Sequence, residues 1–149
     1  MDNKNKGKLH LILTILVMLF IFCQSAMPAA VSDLESGFIV SRLAEWLQTD
    51  VNLVSFIVRK GAHFTEFLIL GVSLFLTVRD LLKRTSFWIP WAIGAAYAVS
   101  DELHQHFVPG RSCEVRDMII DACGVLVGVG ICWFVKGQLL KDKSITETP

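Results

Sequence analysis

Charge is what this chain has least of. Asp, Glu, Lys and Arg make up 19% of its 149 residues and cancel to a formal net charge of zero, where soluble domains carry about a quarter charged residues. So sparse and balanced a set supplies no basic field for nucleic acid and no acidic tail. Cysteine is limited to Cys23, Cys113, Cys123 and Cys132 with no CxxC spacing, which argues against a zinc knuckle or a disulfide framework. No internal repeat or low-complexity tract divides the chain, and its length suits one domain. A GxSxG elbow is missing too. Ser100, adjacent to Asp101, points about 100° away from it on a helix, which disfavours a serine hydrolase built on Ser100 or Ser112 with His104 and Asp101.

What the chain does have is long apolar blocks: 53% of it is hydrophobic and its mean hydropathy is +0.54. Four blocks read as membrane spans, at about residues 9–25, 54–78, 87–105 and 115–134. The first follows Lys4, Lys6 and Lys8, and Thr14 is the one polar residue in its core. A basic start, an apolar run and the small residues around Ser25 and Ala26 also describe a signal peptide. The run is long for that, and the retained-span reading is adopted. In the loop that follows, Phe38, Ile39, Leu43, Trp46 and Leu47 recur at helical spacing between Arg42, Glu45 and Gln48. That pattern fits a short helix in the membrane interface anchored by Trp46; a loop helix packed on the bundle fits equally. The expected fold is therefore all-α: a multi-pass bundle of four transmembrane helices plus a short interfacial helix in the first outer loop.

Orientation follows from the basic residues. They concentrate at residues 4–8, 79–84 and 136–143, and with four spans all three clusters fall on one side. The positive-inside rule makes that side cytoplasmic, with residues 1–8 and 137–149 as cytoplasmic ends around a membrane domain at 9–136. Arg59 and Lys60, at the outer end of the second span, weakly oppose the rule. The polar ends of the second, third and fourth spans then coincide in the outer leaflet. Lys60, His63 and Glu66 share a face of one helix. Asp101, Glu102, His104 and Gln105 end the next, and Asp117 and Asp121 begin the last, after the Pro109-Gly110-Arg111 turn. Ionisable groups at such depth cost roughly 2.5–3.5 kcal/mol each on insertion scales and mark functional sites by default.

This layer admits three further readings. Arg59, Lys60, Arg111 and Arg116 could pair with Glu66, Asp101, Asp117 and Asp121 to tie the helices together. The arginines could instead hold an anionic or amide-rich ligand, such as a lipid head group or cell-wall precursor. Or His63, Glu66, Asp101 and His104 could bind a divalent metal, since HxxE and DxxH at helical spacing supply a zinc hydrolase's ligands. Gly124 and Gly128, a GxxxG step, permit close helix approach.

The stretches Lys60-Gly-Ala-His63-Phe64-Thr-Glu66-Phe67, Tyr97, Asp101-Glu102-x-His104-Gln105-x-Phe107-Val-Pro109-Gly110-Arg111 and Asp117-x-x-x-Asp121-x-x-Gly124-x-x-x-Gly128 resemble the signature of the VanZ-like family. Phe67 departs from it, standing where tyrosine is common. The resemblance implies a small integral protein of the bacterial cytoplasmic membrane. It also implies a link to lowered susceptibility to teicoplanin, with membrane lipid and a cell-wall precursor or the glycopeptide as partners. The family has no established mechanism, so no catalytic residue is carried across. Three functions stay in play: an envelope protein that binds or modifies something at the outer face, a metal-dependent hydrolase of lipid or cell-wall substrates, and a structural partner in an envelope complex.

Overall fold

The computed structural model describes residues 3–146. Residues 1–2 and 147–149, which belong to the ends assigned to the cytoplasm, lie outside the described residues. The described chain is five helices without a strand: α1 (Asn3–Ser25), α2 (Ala29–Leu47), α3 (Val51–Leu82), α4 (Trp88–Gln105) and α5 (Val115–Thr146). α1, α3 and α5 are long and apolar enough to cross a membrane. α4 is not among them because its last turns, from Ser100 to Gln105, are polar. The polar side chains Asp101, Glu102 and Gln105 of those turns are nevertheless covered, buried against neighbouring helices.

α3 is the hub and packs on each of the other four helices. It is longer than the expected 54–78 at both ends, starting where the Asp50 side chain accepts from the Asn52 backbone N–H at 3.0 Å and so satisfies one of the free donors of its first turn. α1 runs antiparallel to it. His10 meets Asp80 at 2.8 Å, and Thr14, the lone polar residue of the first block, meets Thr77 at 2.9 Å. Farther along α1, Met18 O accepts from the Tyr97 hydroxyl of α4 at 2.7 Å.

α5 lies parallel to α3 and very close to it. A Cβ on Gly124 would come within 2.5 Å of Phe64 O, and one on Gly128 would run into Leu68 O. The expected glycine step is thus a backbone-to-backbone contact with α3. Gly71 of α3 answers it, set against the Val125 backbone. Around this seam Ile21, Phe67, Leu70, Phe75, Val125 and Val129 form the core. Phe67, in the position where tyrosine is common, is fully buried there with its ring 6.1 Å from that of Tyr97, a setting with no need of a hydroxyl.

The helix of the first loop begins at Ala29, earlier than its apolar spacing indicates. It packs on the bundle along one face and leaves apolar side chains exposed on another. Val40 and Ala44 pack against Val54 of α3, while Leu34, Phe38 and Trp46 are 82%, 72% and 79% exposed, an apolar row left for a lipid surface. The basic stretches gather at one end of the bundle. Gly7 lies against Leu81, and Lys136 bonds to Thr85. The polar ends of α3, α4 and α5 gather at the other.

The seam makes a differential prediction. Gly128→Val should cost about 1–3 kcal/mol by overpacking and lower the melting temperature in detergent. Gly130→Val, which meets nothing within 4 Å, should leave it unchanged; equal effects of the two would mean that α3 and α5 do not touch there.

Candidate functional site

The polar end is assembled by a turn and two caps. Arg111 N donates to Val108 O at 3.1 Å, and Gly110 has φ +77, the type II geometry that Pro-Gly favours. The turn rests on α2, where Ala29 N donates to Pro109 O at 3.3 Å. It delivers the Arg111 guanidinium to the end of α1, donating from Nε to Met27 O at 2.9 Å and from Nη2 to Gln24 O at 3.3 Å. A cation there meets the terminal carbonyls and the negative end of the helix dipole. Glu102, 1% exposed, does the converse for α5, accepting the Glu114 backbone N–H at 3.0 Å. Glu114, at the mouth, is held below the usual carboxylate range by the Ser112 hydroxyl and the Arg116 guanidinium.

Asp101 sits at the centre, 3% exposed. Its Oδ2 accepts from Ser25 Oγ at 2.7 Å and from Gln105 Nε2 at 2.9 Å, and Gln105 also reaches Ser25 Oγ at 3.2 Å. Two polar groups, one from α1 and one from α4, thereby replace part of the water the carboxylate gave up. Its Oδ1 has no hydrogen-bond partner. Ligand atoms of His63 and Asp121 lie within 4.8 Å of a ligand atom of Asp101 and of one another.

Above this cluster is a cavity of ≈ 240 Å³. Four cationic side chains line it, Arg59, Lys60, Arg111 and Arg116, against two acids, Glu114 and Asp117, with His63 also reaching it. Lys60 pairs with Asp117 across α3 and α5, and Arg116 reaches Glu114 at 2.7 Å and Asp117 at 3.9 Å. Two cations approach the Phe56 ring, with Lys60 Nζ 5.6 Å and Arg116 Cζ 5.0 Å from its centroid.

The expected residues therefore divide. Lys60, His63, Asp101, Glu102, Gln105, Arg111, Asp117 and Asp121 share one end of the bundle and form cavity, cluster or caps. Glu66 instead lines an apolar groove formed with α1, beside Leu13, Leu16 and Phe20. His104 stacks on Phe22 of α1 with centroids 4.4 Å apart. Of the four expected metal ligands, His63 and Asp101 come together, and Asp121 joins them in place of Glu66 and His104. Ser25, which belongs to the stretch that looks like a cleavage site, is the site residue that sequence reasoning missed. Its fully buried hydroxyl had no signal beyond being a polar residue at the rim of an apolar block.

The fold and this end define a class: a small helical membrane protein whose helices converge on buried acids and a histidine beneath a cationic cavity. The VanZ/LLP1 family model matches residues 10–136, and the chain belongs to that family. Among curated proteins and among solved structures, nothing matches it.

Because Ser25 solvates a buried carboxylate, Ser25→Ala should destabilise the bundle by about 1–3 kcal/mol. In an Asp101→Asn background the same change should cost measurably less. Additive effects in chemical unfolding would mean that the two side chains act independently.

Proposed function

We propose that the chain is a multi-pass protein of the bacterial cytoplasmic membrane that holds an anionic envelope component at its outer face, and that by doing so it lowers susceptibility to teicoplanin-type glycopeptides. The observation that carries this is the cationic cavity. Arg59, Lys60, Arg111 and Arg116 outnumber the acids Glu114 and Asp117 around one space, and guanidinium groups bind phosphate and carboxylate through paired hydrogen bonds. A lipid head group or a cell-wall precursor offers such groups at that depth.

The topology behind this reading has four spans with both ends cytoplasmic and α1 retained. Three features support it. α1 is hydrogen-bonded to both α3 and α4. The basic stretches share an end of the bundle, as the positive-inside rule requires. α4, at 18 residues, is about 27 Å long at ~1.5 Å per residue, close to the ~30 Å of a bilayer core, and its acids are covered by protein.

The functional test is teicoplanin and vancomycin susceptibility in a Gram-positive host expressing the chain, with membrane abundance measured for each variant. Arg59→Gln and Arg116→Gln should abolish any teicoplanin effect at normal abundance, since losing a charge-assisted bond worth about 1.5–3 kcal/mol weakens binding roughly 10- to 100-fold. A wild type that leaves susceptibility unchanged would sink the resistance role. Variants that lose the effect only by losing abundance would favour the structural-partner reading instead. Orientation has its own check. With Cys23, Cys123 and Cys132 replaced by serine, Cys113, partly exposed at the polar end, should react with an impermeant maleimide on intact cells. Labelling only after lysis would invert the topology.

A further inference from the structure

Three helices each send one metal-binding side chain to the same point. His63 comes from α3, Asp101 from α4 and Asp121 from α5, with one ligand atom of each within 4.8 Å of the others. Asp121 is 1% exposed and lies more than a turn inside α5. Neither of its oxygens has a hydrogen-bond partner, and Asp101 Oδ1 and His63 Nδ1 have none either. A buried carboxylate normally accepts two or more hydrogen bonds, and leaving its lone pairs unmet costs several kcal/mol. Asp101 illustrates the ordinary solution on its other side, where Ser25 and Gln105 both donate to Oδ2. The unpartnered atoms of the three residues forgo that solution together.

We propose that His63, Asp101 and Asp121 form a binding site for a divalent transition cation, Zn²⁺ or Mn²⁺. One imidazole nitrogen and two carboxylates are donors both ions accept, and the ion's charge matches that of the two acids. A tetrahedral ion with bonds of about 2.0–2.2 Å sets its donors roughly 3.3–3.6 Å apart, so from the 4.8 Å within which these atoms lie the side chains would draw together by up to about 1.5 Å. Donors from three helices also make the site a product of the folded bundle, because no two are neighbours in sequence. Three protein ligands leave a coordination position for water or for an oxygen of an anion in the cavity, which His63 also lines. The ion site stands without the anion-binding reading; only its use as an anchor for the anion rests on that reading.

The test uses the full chain, purified in detergent with any affinity tag removed and stripped with EDTA. It is then incubated with Zn²⁺ or Mn²⁺ alone and passed through a sizing column before metal analysis. The wild type should retain one ion per chain and melt at a higher temperature with it. Asp121→Asn should weaken retention by more than the ~10–100-fold typical of losing a group that only orients a ligand, while eluting as the wild type does. Should Asp121→Asn fail to fold, His63→Gln, at a partly exposed position, serves as the second variant and should lose the ion likewise. A wild type that retains neither metal overturns the site. Retention undiminished in both variants overturns it too, since the ion would then sit elsewhere. Binding of phosphatidylglycerol vesicles, measured alongside, separates the two ideas. Vesicle binding without metal leaves the anion reading intact, and metal without vesicle binding leaves the ion site intact.

Discussion

The backbone contact between α3 and α5 is the constraint on which the polar end depends. Lipid gives helices no hydrophobic reason to associate, so close packing of small residues has to do it. Gly124 and Gly128 bring α5 onto the carbonyls of Phe64 and Leu68, and Gly71 accommodates Val125 in return. The parallel run of the two helices then sets His63 level with Asp121, and Lys60 level with Asp117. Without that approach, acids and bases on separate helices would face lipid, each at a cost of several kcal/mol. The seam is apolar, but what it positions is polar.

Once the seam is set, α4 and α1 complete the layer in opposite ways. α4 contributes charge: Asp101 to the cluster and Glu102 to the start of α5. α1 contributes neutral groups, namely the Ser25 hydroxyl and the terminal carbonyls that receive Arg111. An acid at this depth is thus tolerated through a hydroxyl from α1 and an amide one turn along its own helix, a cheaper arrangement than a second buried charge. It also explains why average hydropathy underrates α4. Such averages treat each polar side chain as if it met lipid, whereas Asp101, Glu102 and Gln105 meet only protein.

Much of this was legible in the sequence. Apolar block length gave the helices, and the glycine spacing gave a close helix approach without saying which helix answers it. Helical periodicity put Lys60, His63 and Glu66 on a common face. Periodicity describes one helix at a time, however, and cannot say which neighbour a face meets. His63 and Glu66 differ by less than a quarter turn in direction, yet one reaches the cluster and the other a groove against α1. Arg111 read as a ligand-binding cation, and only the path of the turn reveals that it also caps α1. Ser25 was hidden for the same reason, since its partner lies in another helix.

The hydrogen bonds that hold α1 also set an order of events in synthesis. Ser25 must wait for Asp101, 76 residues later, and Thr14 must wait for Thr77, 63 residues later. At roughly 5–20 residues per second, α1 spends several seconds in the bilayer before either partner exists. During that interval its polar groups have only lipid, the insertion machinery or each other for company. The first helix made is therefore among the last to be fully satisfied, and a chaperone or insertase that shields Thr14 and Ser25 would act in that window.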